Sequence, residues 1–286
     1  MILVKVSLKM LFGAMVVYST QPSLYVHDVN MNLWMPFALI RRALRLPNDG
    51  VKLHLSRMMC PAHLHETIGK IKTLLKDESQ PIVRVIATQL VEAGVYIDFP
   101  VVFRQEAGLD SVLQAAGRCN REGRSAMGHT FVFSLAAEKR NPFGSMADSN
   151  NARLNLPEDS DWFAPSTMKA YFCQLYSRKQ TFDEKDIKHW LYKPTELCFE
   201  TASKEFRLID DTSINVIVNW ENSMELIEQL KESGCTYSLV KQLAKFTVGI
   251  RSYDFKQLKG YGLVEEILEG IYVLEDRSQY NKTTGL

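Results

Sequence analysis

The chain has 286 residues, of which 46% are hydrophobic and 23% charged, a profile typical of a globular protein with room for about two domains. Its formal net charge of +1 excludes the overall basicity of a histone-like binder, so any contact with nucleic acid must come from local patches. Five scattered cysteines without a CxxC pair indicate neither a disulfide framework nor a zinc ribbon, and they favour a reducing, cytoplasmic compartment.

The first 40 residues form a segment to which we assign no domain. Its apolar run "MLFGAMVVYST" loosely imitates a signal peptide, but the run is too short to span a bilayer and no small-residue cleavage site follows it. We expect no membrane segment, and a buried strand around residues 14–18. The dipeptide His27-Asp28 is interpreted as a chance pair, because a metal site needs further histidines and acids.

From residue 41 to 150 the sequence alternates between strand and helix patterns. "VKLHLSR", "PIVRVIAT", "VVFR" and "HTFVFSL" are typical of strands, whereas "AHLHETIGKIKTLLKD" after Pro61 and "LDSVLQAAGRCNR" are typical of helices. This order predicts an α/β fold in which helices cover a parallel sheet. Ligands of such sheets gather at the carboxyl ends of the strands, where we expect Thr88 and "EAGVYIDFP".

Residues 114–124, "QAAGRCNREGR", carry three arginines at intervals of three residues. On a helix, Arg118, Arg121 and Arg124 would line one side, and most such rows are simply solvated. Gly117 and Gly123, however, interrupt the helical character and let the backbone approach a ligand, and the planar arginine fork suits phosphate.

Beyond the last strand, "AEKRNPFGSMADSNNARLNLPEDSD" is predicted to be a loop or linker. "STMKAYFCQLYSRKQ" and "EKDIKHWLYK" look helical, so residues 151–200 are predicted to form a linker with helices, followed by a small mixed domain at 201–286. That domain interleaves basic and aromatic residues: Lys241, Lys245, Arg251, Lys256 and Lys259 with Phe246, Tyr253, Phe255 and Tyr261.

Two interpretations of this interleaved segment stay open. Basic groups can follow a phosphate backbone while rings stack on bases, at about 1–3 kcal/mol per stacked base. Alternatively, the rings belong to the core and the lysines are their solvated flank. Lys241, Lys245 and Arg251 are the candidate nucleic-acid-binding residues.

Two segments resemble a known family. "TQLVEAGVYIDFP" at 88–100 and "QAAGRCNREGR" at 114–124 are similar to motifs V and VI of superfamily 2 helicases, in the form carried by the CRISPR-associated helicase-nuclease of type I systems, nearest its type I-C branch. The resemblance covers about residues 41–286. It implies a RecA-like second helicase lobe at 41–150 and the family's C-terminal domain at 201–286.

In that family ATP lies with magnesium between two lobes, and motif VI arginines reach its γ-phosphate from the second lobe. The resemblance implies that Arg121 is the arginine finger and Arg118 its companion, whereas Arg124 is a weaker candidate. Neutralising charge on the transferring phosphoryl group is worth about 10³ to 10⁵ in rate. Gln114 is implied to position phosphate or to couple the ATP state to lobe closure.

Motif V joins the nucleotide cleft to the track of single-stranded DNA. The resemblance implies that Thr88 and Gln89 contact the DNA backbone and that Gly94 permits a tight turn near the nucleotide. The family that the chain resembles usually has an acidic residue at the position of Tyr96, and that acid is expected near the ATP ribose. Asp98 is retained as a nucleotide-site residue, but the Tyr96 ring is a departure that affects nucleotide handling.

The sequence contains no G-x-x-x-x-G-K-[ST] phosphate loop, because the Gly-Lys of "ETIGKIK" lies in a helical pattern, and "DESQ" at 77–80 is interpreted as a loop. We therefore expect ATP with magnesium to bind only together with a complementary first lobe. Alone, the chain is expected to show neither DNA-stimulated ATPase nor nuclease activity. Its expected partners are single-stranded DNA, the type I CRISPR surveillance complex, and a separately encoded first lobe and HD nuclease.

Two functions remain open at this point. The chain is either the C-terminal part of an ATP-driven DNA translocase in CRISPR interference, or a non-catalytic module or degenerate remnant that binds single-stranded DNA or the surveillance complex. A group of potential ligands, His54, Cys60, His63 and His65, gives no further function. The resemblance places "MCPAH" in a strand-to-helix connection, so we predict packing and capping roles and no metal site.

Overall fold

A computed structural model describes residues 2–5, 15–19, 50–76, 82–88, 90, 95–133, 145–179, 181–192, 196, 198–206 and 213–286. For residues 2–5, 15–19, 145, 146 and 277 it describes the backbone alone. The His27-Asp28 dipeptide, the segment 77–80, Gln89 and Gly94 lie outside the described residues, so the predictions made for them stay predictions.

Six strands form the larger sheet, in the order β1-β6-β5-β2-β4-β3. They are β1 (Ile2–Lys5), β2 (Met15–Ser19), β3 (Gly50–Leu55), β4 (Ile82–Thr88), β5 (Val101–Gln105) and β6 (His129–Phe133). Every recorded pairing in this sheet is parallel, which confirms the predicted α/β architecture. The expected strand around residues 14–18 is confirmed as β2, which lies between β4 and β5 in the sheet.

The first two described helices belong to this sheet's unit. Helix α1 (Pro61–Lys76) begins at the proline, as predicted, because proline at the first helical position loses no hydrogen bond there. Helix α2 (Leu109–Ala116) buries Leu109, Val112, Ala115 and Ala116. The core under these helices is aliphatic, with Leu55, Ile71, Val85 and Val102 fully buried, as expected for a parallel sheet covered by helices.

Helix α2 is shorter than the sequence predicted. The pattern "LDSVLQAAGRCNR" predicted a helix that continues through Arg121, but the helix ends at Ala116 and Gly117 caps it. Asn120 then adopts a left-handed backbone at φ 48°, which no helix contains. The arginines at 118, 121 and 124 therefore lie beyond the end of the helix, and the interpretation in which they form a row along one helical side is not supported.

Four helices follow between the two sheets: α3 (Ser145–Leu154), α4 (Pro165–Ser177), α5 (Ile187–Leu191) and α6 (Phe199–Glu205). Helix α3 lies within the stretch predicted to be a loop or linker, so that expectation is wrong for residues 145–154. Tertiary packing outweighs its polar composition, because Ala152 packs in a small cluster with Leu109, Leu156 and Tyr171. Among the described helices, none is both long and apolar enough to cross a bilayer.

The last unit contains a four-stranded sheet in the order β8-β7-β10-β9. Its elements are β7 (Ser213–Ile217), α7 (Ser223–Ser233), α8 (Tyr237–Leu243), β8 (Thr247–Arg251), α9 (Ser252–Gly260), β9 (Val264–Leu268) and β10 (Ile271–Leu274), with 3₁₀ turns at Ala244–Phe246 and Arg277–Gln279. Strand β7 pairs antiparallel with β8 and parallel with β10, which matches the predicted mixed domain.

The tail of the chain, residues 280–286, docks onto the connection between β3 and α1. The backbone N–H of Leu286 donates to the carbonyl of Met58 at 2.8 Å, and the hydroxyl of Tyr280 accepts from the N–H of Cys60 at 2.9 Å. Met58 and Cys60 are part of the same apolar core as Tyr280 and Leu286. The two units are therefore joined by a continuous core, and we call this contact the tail dock.

Buried histidines make the stability of the fold depend on pH. His54 on β3 is 6% exposed, and burial lowers its pKa from 6.5 to about 4, since desolvation penalises the charged ring. The unfolded chain therefore binds a proton that the folded chain does not, between pH 6.5 and 4. Stability is full above pH 6.5 and falls toward pH 4, by up to about 1.4 kcal/mol per pH unit for this group.

Chemical denaturation at several pH values checks this expectation. His54→Asn should flatten the loss of stability between pH 6.5 and 4, whereas His65→Asn, which alters an exposed histidine of α1, should leave the profile unchanged. Identical profiles for the parent and the His54 variant would show that the ring is protonated in the folded state as easily as in the unfolded chain.

Candidate functional site

The residues of motif V lie at two opposite edges of the larger sheet. Strand β4 ends at Thr88, at the carboxyl edge, as predicted. Because β5 is parallel to β4, the chain returns across the sheet before Val101, so Tyr96, Asp98 and Phe99 lie at the amino edge. The expectation that "EAGVYIDFP" gathers at the carboxyl ends is therefore wrong for its last residues.

At the amino edge, motifs V and VI are joined by backbone hydrogen bonds. The N–H of Phe99 donates to the carbonyl of Arg118 at 2.9 Å, and the N–H of Asn120 donates to the carbonyl of Phe99 at 2.8 Å. This parallel bridge pairs Phe99 with Cys119, and both side chains are buried in the core. The two motifs are thus held together by backbone hydrogen bonds, and the buried side chains of Phe99 and Cys119 anchor them to the core.

One carboxylate fixes the backbone of the predicted arginine finger. The N–H of Arg121 donates to Oδ1 of Asp98 at 2.6 Å, a short bond between a backbone donor and an acidic acceptor. The resemblance implied a nucleotide-site role for Asp98, and the structure gives it a second task of holding the turn that carries Arg121. The shared contact brings these two predicted site residues together.

The turn after Arg121 is closed by reciprocal side-chain bonds. Asn120 donates from Nδ2 to the carbonyl of Ser125 at 2.7 Å and accepts from the N–H of Ser125 at its Oδ1 at 2.9 Å. Gly123 has φ 65°, a conformation that glycine adopts without strain. Residues 120–125 are thus a clamped loop in which the position of Arg121 is set by local hydrogen bonds.

The predicted polar residues of motif VI differ in exposure. Gln114 is exposed on the last turn of α2, and Arg121 is exposed on the clamped loop. Arg118 is only 9% exposed, so it lies beneath the surface that carries Arg121. Arg124 is exposed and forms an ion pair with its neighbour Glu122.

Thr88 has a different environment from the amino-edge residues. It is 8% exposed, and its hydroxyl has no hydrogen-bond partner among the described residues. Because Thr88 lies at the opposite edge from Arg121, the predicted DNA contact and the predicted phosphate contact are on different sides of the sheet. Gln89 and Gly94, which complete the predicted set, lie outside the described residues.

The basic, aromatic segment of the C-terminal unit divides into core and surface. Phe246 and Phe255 are 3% and 6% exposed and belong to the apolar core, so for these two rings the structure favours the core interpretation over stacking on bases. Tyr253 and Tyr261 are 69% and 46% exposed. Lys241, Lys245 and Arg251 are exposed as well.

Sequence reasoning missed Tyr237, which is 84% exposed at the start of α8. A spacing of four residues could have identified it, since Tyr237, Lys241 and Lys245 stand at positions i, i+4 and i+8 of the sequence. Leu239 and Leu243 are buried on the same helix, which leaves Tyr237 and Lys241 exposed, and Lys245 follows in the 3₁₀ turn. We call the exposed set Tyr237, Lys241, Lys245, Arg251 and Tyr253 the basic face.

The histidine and cysteine group near the start of α1 is a packing cluster. Nε2 of His63 donates to the carbonyl of Lys282 at 3.0 Å, and Nδ1 of the neutral ring accepts from the hydroxyl of Tyr280 at 2.9 Å. Its ring stacks on Trp220 with centroids 3.9 Å apart, and burial lowers its pKa. Within the described ranges, no group of three or more potential ligands is placed to hold a metal ion.

Comparisons with known proteins agree with the motif analysis. Residues 37–124 match a family model described as the C-terminal part of the CRISPR-associated nuclease/helicase Cas3. A curated CRISPR-associated nuclease/helicase Cas3 from Haloferax volcanii is 49% identical over 61 residues, which is 20% of this chain and 6% of the relative.

Solved structures show the fold of the chain. Cas3 from T. fusca with ATP matches 92% of this chain at 12% identity and a TM-score of 0.54, and the AMPPNP form matches the same share at 13% identity and 0.53. The chain spans 35% of the length of these structures and 6% of the curated relative. These matches confirm the resemblance to the C-terminal region of the CRISPR helicase-nuclease and the helicase-lobe fold, whereas the type I-C branch stays a prediction.

Proposed function

We propose, from this similarity to the C-terminal region of Cas3, that the chain supplies the second motor lobe and C-terminal domain of an ATP-dependent DNA helicase-nuclease in type I CRISPR interference. The observation that carries the proposal is the joined arrangement of motifs V and VI, in which Asp98 and the Phe99 bridge hold Arg121 at the surface. An exposed guanidinium on a fixed backbone suits the neutralisation of a γ-phosphate presented by another lobe.

ATP with magnesium is the proposed cofactor, bound when a complementary first lobe provides the phosphate loop. The solved neighbours include Cas3 with ATP and with AMPPNP, which supports nucleotide binding in the full protein. In this chain the proposed contributors are Arg121 at the phosphate, Arg118 beneath it, Asp98 as the backbone anchor, and Gly94. Alone, the chain is proposed to be inactive in ATP hydrolysis and DNA cleavage.

Single-stranded DNA is the proposed nucleic-acid partner, and the type I surveillance complex, the first lobe and the HD nuclease are the proposed protein partners. Translocation needs a lobe that contacts DNA in step with the nucleotide state, and Thr88, at the carboxyl end of β4, is the proposed DNA contact together with Gln89. The described free thiols, Cys60, Cys119, Cys173, Cys198 and Cys235, support a reducing, cytoplasmic setting.

A second candidate function is a binding module without turnover. It is favoured by the basic face, which offers exposed cations and rings independently of any nucleotide, and by the aromatic Tyr96 at a position where the resemblance implies an acid. The first function requires the chain to bind single strands, whereas the second is met by binding either single-stranded DNA or the surveillance complex. They differ in whether ATP hydrolysis appears when a first lobe is supplied.

Binding of single-stranded DNA to the isolated chain is expected to be weak and strongly dependent on salt. Each neutralised phosphate contributes a slope of about −0.7 to log K against log salt on single strands. Replacing Lys241, Lys245 and Arg251 together by alanine should therefore flatten the slope by about two units. Fluorescence anisotropy of a labelled oligonucleotide across a salt series measures this slope.

The matched control removes three exposed lysines of α1, Lys70, Lys72 and Lys76, which changes the net charge by the same amount. Its slope should stay close to that of the parent chain, because these lysines are outside the basic face. Equal slopes for the parent and the basic-face variant would assign Lys241, Lys245 and Arg251 to a solvated flank and remove the DNA-binding part of the proposal.

A further inference from the structure

The side chain of Arg121 rests on an aromatic ring. Its guanidinium carbon lies 4.7 Å from the centroid of the Tyr96 ring, within the range of a cation–π contact. Tyr96 is 53% exposed, so the pair lies at the surface of the amino edge and not in the core. Among the described residues, no carboxylate forms an ion pair with Arg121, although Glu122 next to it pairs with Arg124.

Both members of this pair come from backbone that is already fixed. Arg121 is held by the bond from its N–H to Asp98 and by the clamp between Asn120 and Ser125. Tyr96 is two residues before Asp98 on the strand-like segment that ends in the Phe99 bridge. The ring and the guanidinium therefore meet because two short, anchored segments present them to each other, and the contact needs little further ordering of the backbone.

The chemistry of the contact differs from that of an ion pair. A carboxylate partner would take two N–H donors of the guanidinium and neutralise its charge. A ring accepts the cation at its π face, which leaves the charge in place and the five N–H donors at the edge of the plane available to another acceptor. A planar cation supported from one face is suited to an anion that approaches in its plane, such as a terminal phosphate.

We propose that Tyr96 is the positioning residue for Arg121, whose ring holds the guanidinium at the amino edge with its N–H donors directed to an incoming phosphate. The choice of phosphate as the anion rests on the proposed function, whereas the contact between ring and guanidinium does not. Tyr96 then holds the guanidinium of Arg121 without occupying its N–H donors.

Nuclear magnetic resonance of the full chain labelled in arginine tests the contact directly. Protons of the Arg121 side chain should be shifted upfield by the ring current, and Arg121→Lys assigns the signal. The shift should persist in Tyr96→Phe, which keeps the ring, and disappear in Tyr96→Leu, which fills similar space without π electrons. Tyr192→Leu, which removes a tyrosine that is 79% exposed, is the matched control and should leave the signal in place.

Inorganic tripolyphosphate, titrated into the same samples, tests the purpose of the contact. Its apparent affinity at the Arg121 signal should fall about two- to fivefold in Tyr96→Leu and stay unchanged in Tyr96→Phe and Tyr192→Leu, as expected for loss of one exposed cation–π contact. An Arg121 signal that is the same with and without the Tyr96 ring, or an unchanged affinity in Tyr96→Leu, would overturn the inference while leaving the proposed function standing. A third outcome is that the ring-current shift depends on the Tyr96 ring but the Arg121 signal does not respond to tripolyphosphate in any sample. That result would refute the phosphate role of Arg121 and, with it, the purpose assigned to the ring.

Discussion

Arg121→Ala is expected to lower ATP hydrolysis by about 10³-fold or more when the chain is completed by a first lobe that carries a phosphate loop. The reason is that the guanidinium would neutralise charge that develops on the γ-phosphoryl group, and removal of such a finger costs about 10³ to 10⁵ in rate. The relevant quantity is kcat for DNA-stimulated phosphate release, measured at saturating ATP and single-stranded DNA. Binding of DNA in the same assembly should change little, because Arg121 is not among the residues proposed to contact the DNA.

Arg124→Ala is the matched control. It removes the same functional group from an exposed position in the same loop, three residues after Arg121. Arg124 is already paired with Glu122, so its removal should change kcat only slightly. Comparable losses in both variants would show that the loop needs its total positive charge and not one positioned finger. An isolated chain that hydrolyses ATP, with turnover abolished by Arg121→Ala, would contradict the proposal that the chain is inactive alone.

Gly285→Ala is expected to destabilise the tail dock by about 3 kcal/mol or more. Gly285 has φ 81°, where any side chain is strained, and a Cβ there would overlap the carbonyl group of Met58. Neither atom belongs to a flexible side chain, so the clash is relieved only if the tail moves away from Met58. Denaturant unfolding followed by tryptophan fluorescence measures the loss, since Trp220 stacks on His63 beside the dock.

Gly270→Ala separates conformational strain from the clash. Gly270 has a similar φ of 74°, but nothing lies within 4 Å of the Cβ that an alanine would add. Its expected cost is therefore only the strain of the left-handed conformation, about 1–2 kcal/mol. Equal losses in the two variants would mean that the tail adjusts freely and that its contact with Met58 contributes little.

The sequence predicted the larger fold because its strands are short apolar runs and its first helix has a clear period. "VKLHLSR", "PIVRVIAT" and "VVFR" each became a parallel strand, and Pro61 marked the start of α1 as expected. The pattern did not predict α3, whose ten polar-rich residues are held in a helix by packing of Ala152 near Tyr171. Long-range packing of this kind has no local signal.

For the candidate site, the sequence identified the residue types but not their arrangement. Resemblance named Arg121 and Asp98, yet only the structure shows that the carboxylate of Asp98 accepts from the backbone of Arg121. The sequence could not assign its aromatic residues to core or surface, because such residues fit both a core and a stacking surface. The structure buries Phe246 and Phe255 and exposes Tyr253. The four-residue spacing of Tyr237 and Lys241 places both on one side of a helix, away from the core. This could be used only once the helix was known.

The order of the larger sheet has a consequence for how the protein folds. Strand β2 lies between β4 and β5, so the centre of the sheet is completed by a segment that precedes both of its neighbours in the chain by long intervals. Pairings of such high contact order form slowly, because the entropy of closing a long loop is lost before the hydrogen bonds are gained. Until β2 inserts, β4 and β5 each present an unpaired edge of apolar strand, the kind of surface on which other chains assemble. The time that β2 needs to insert between β4 and β5 is therefore the time during which a newly made chain is most prone to aggregation.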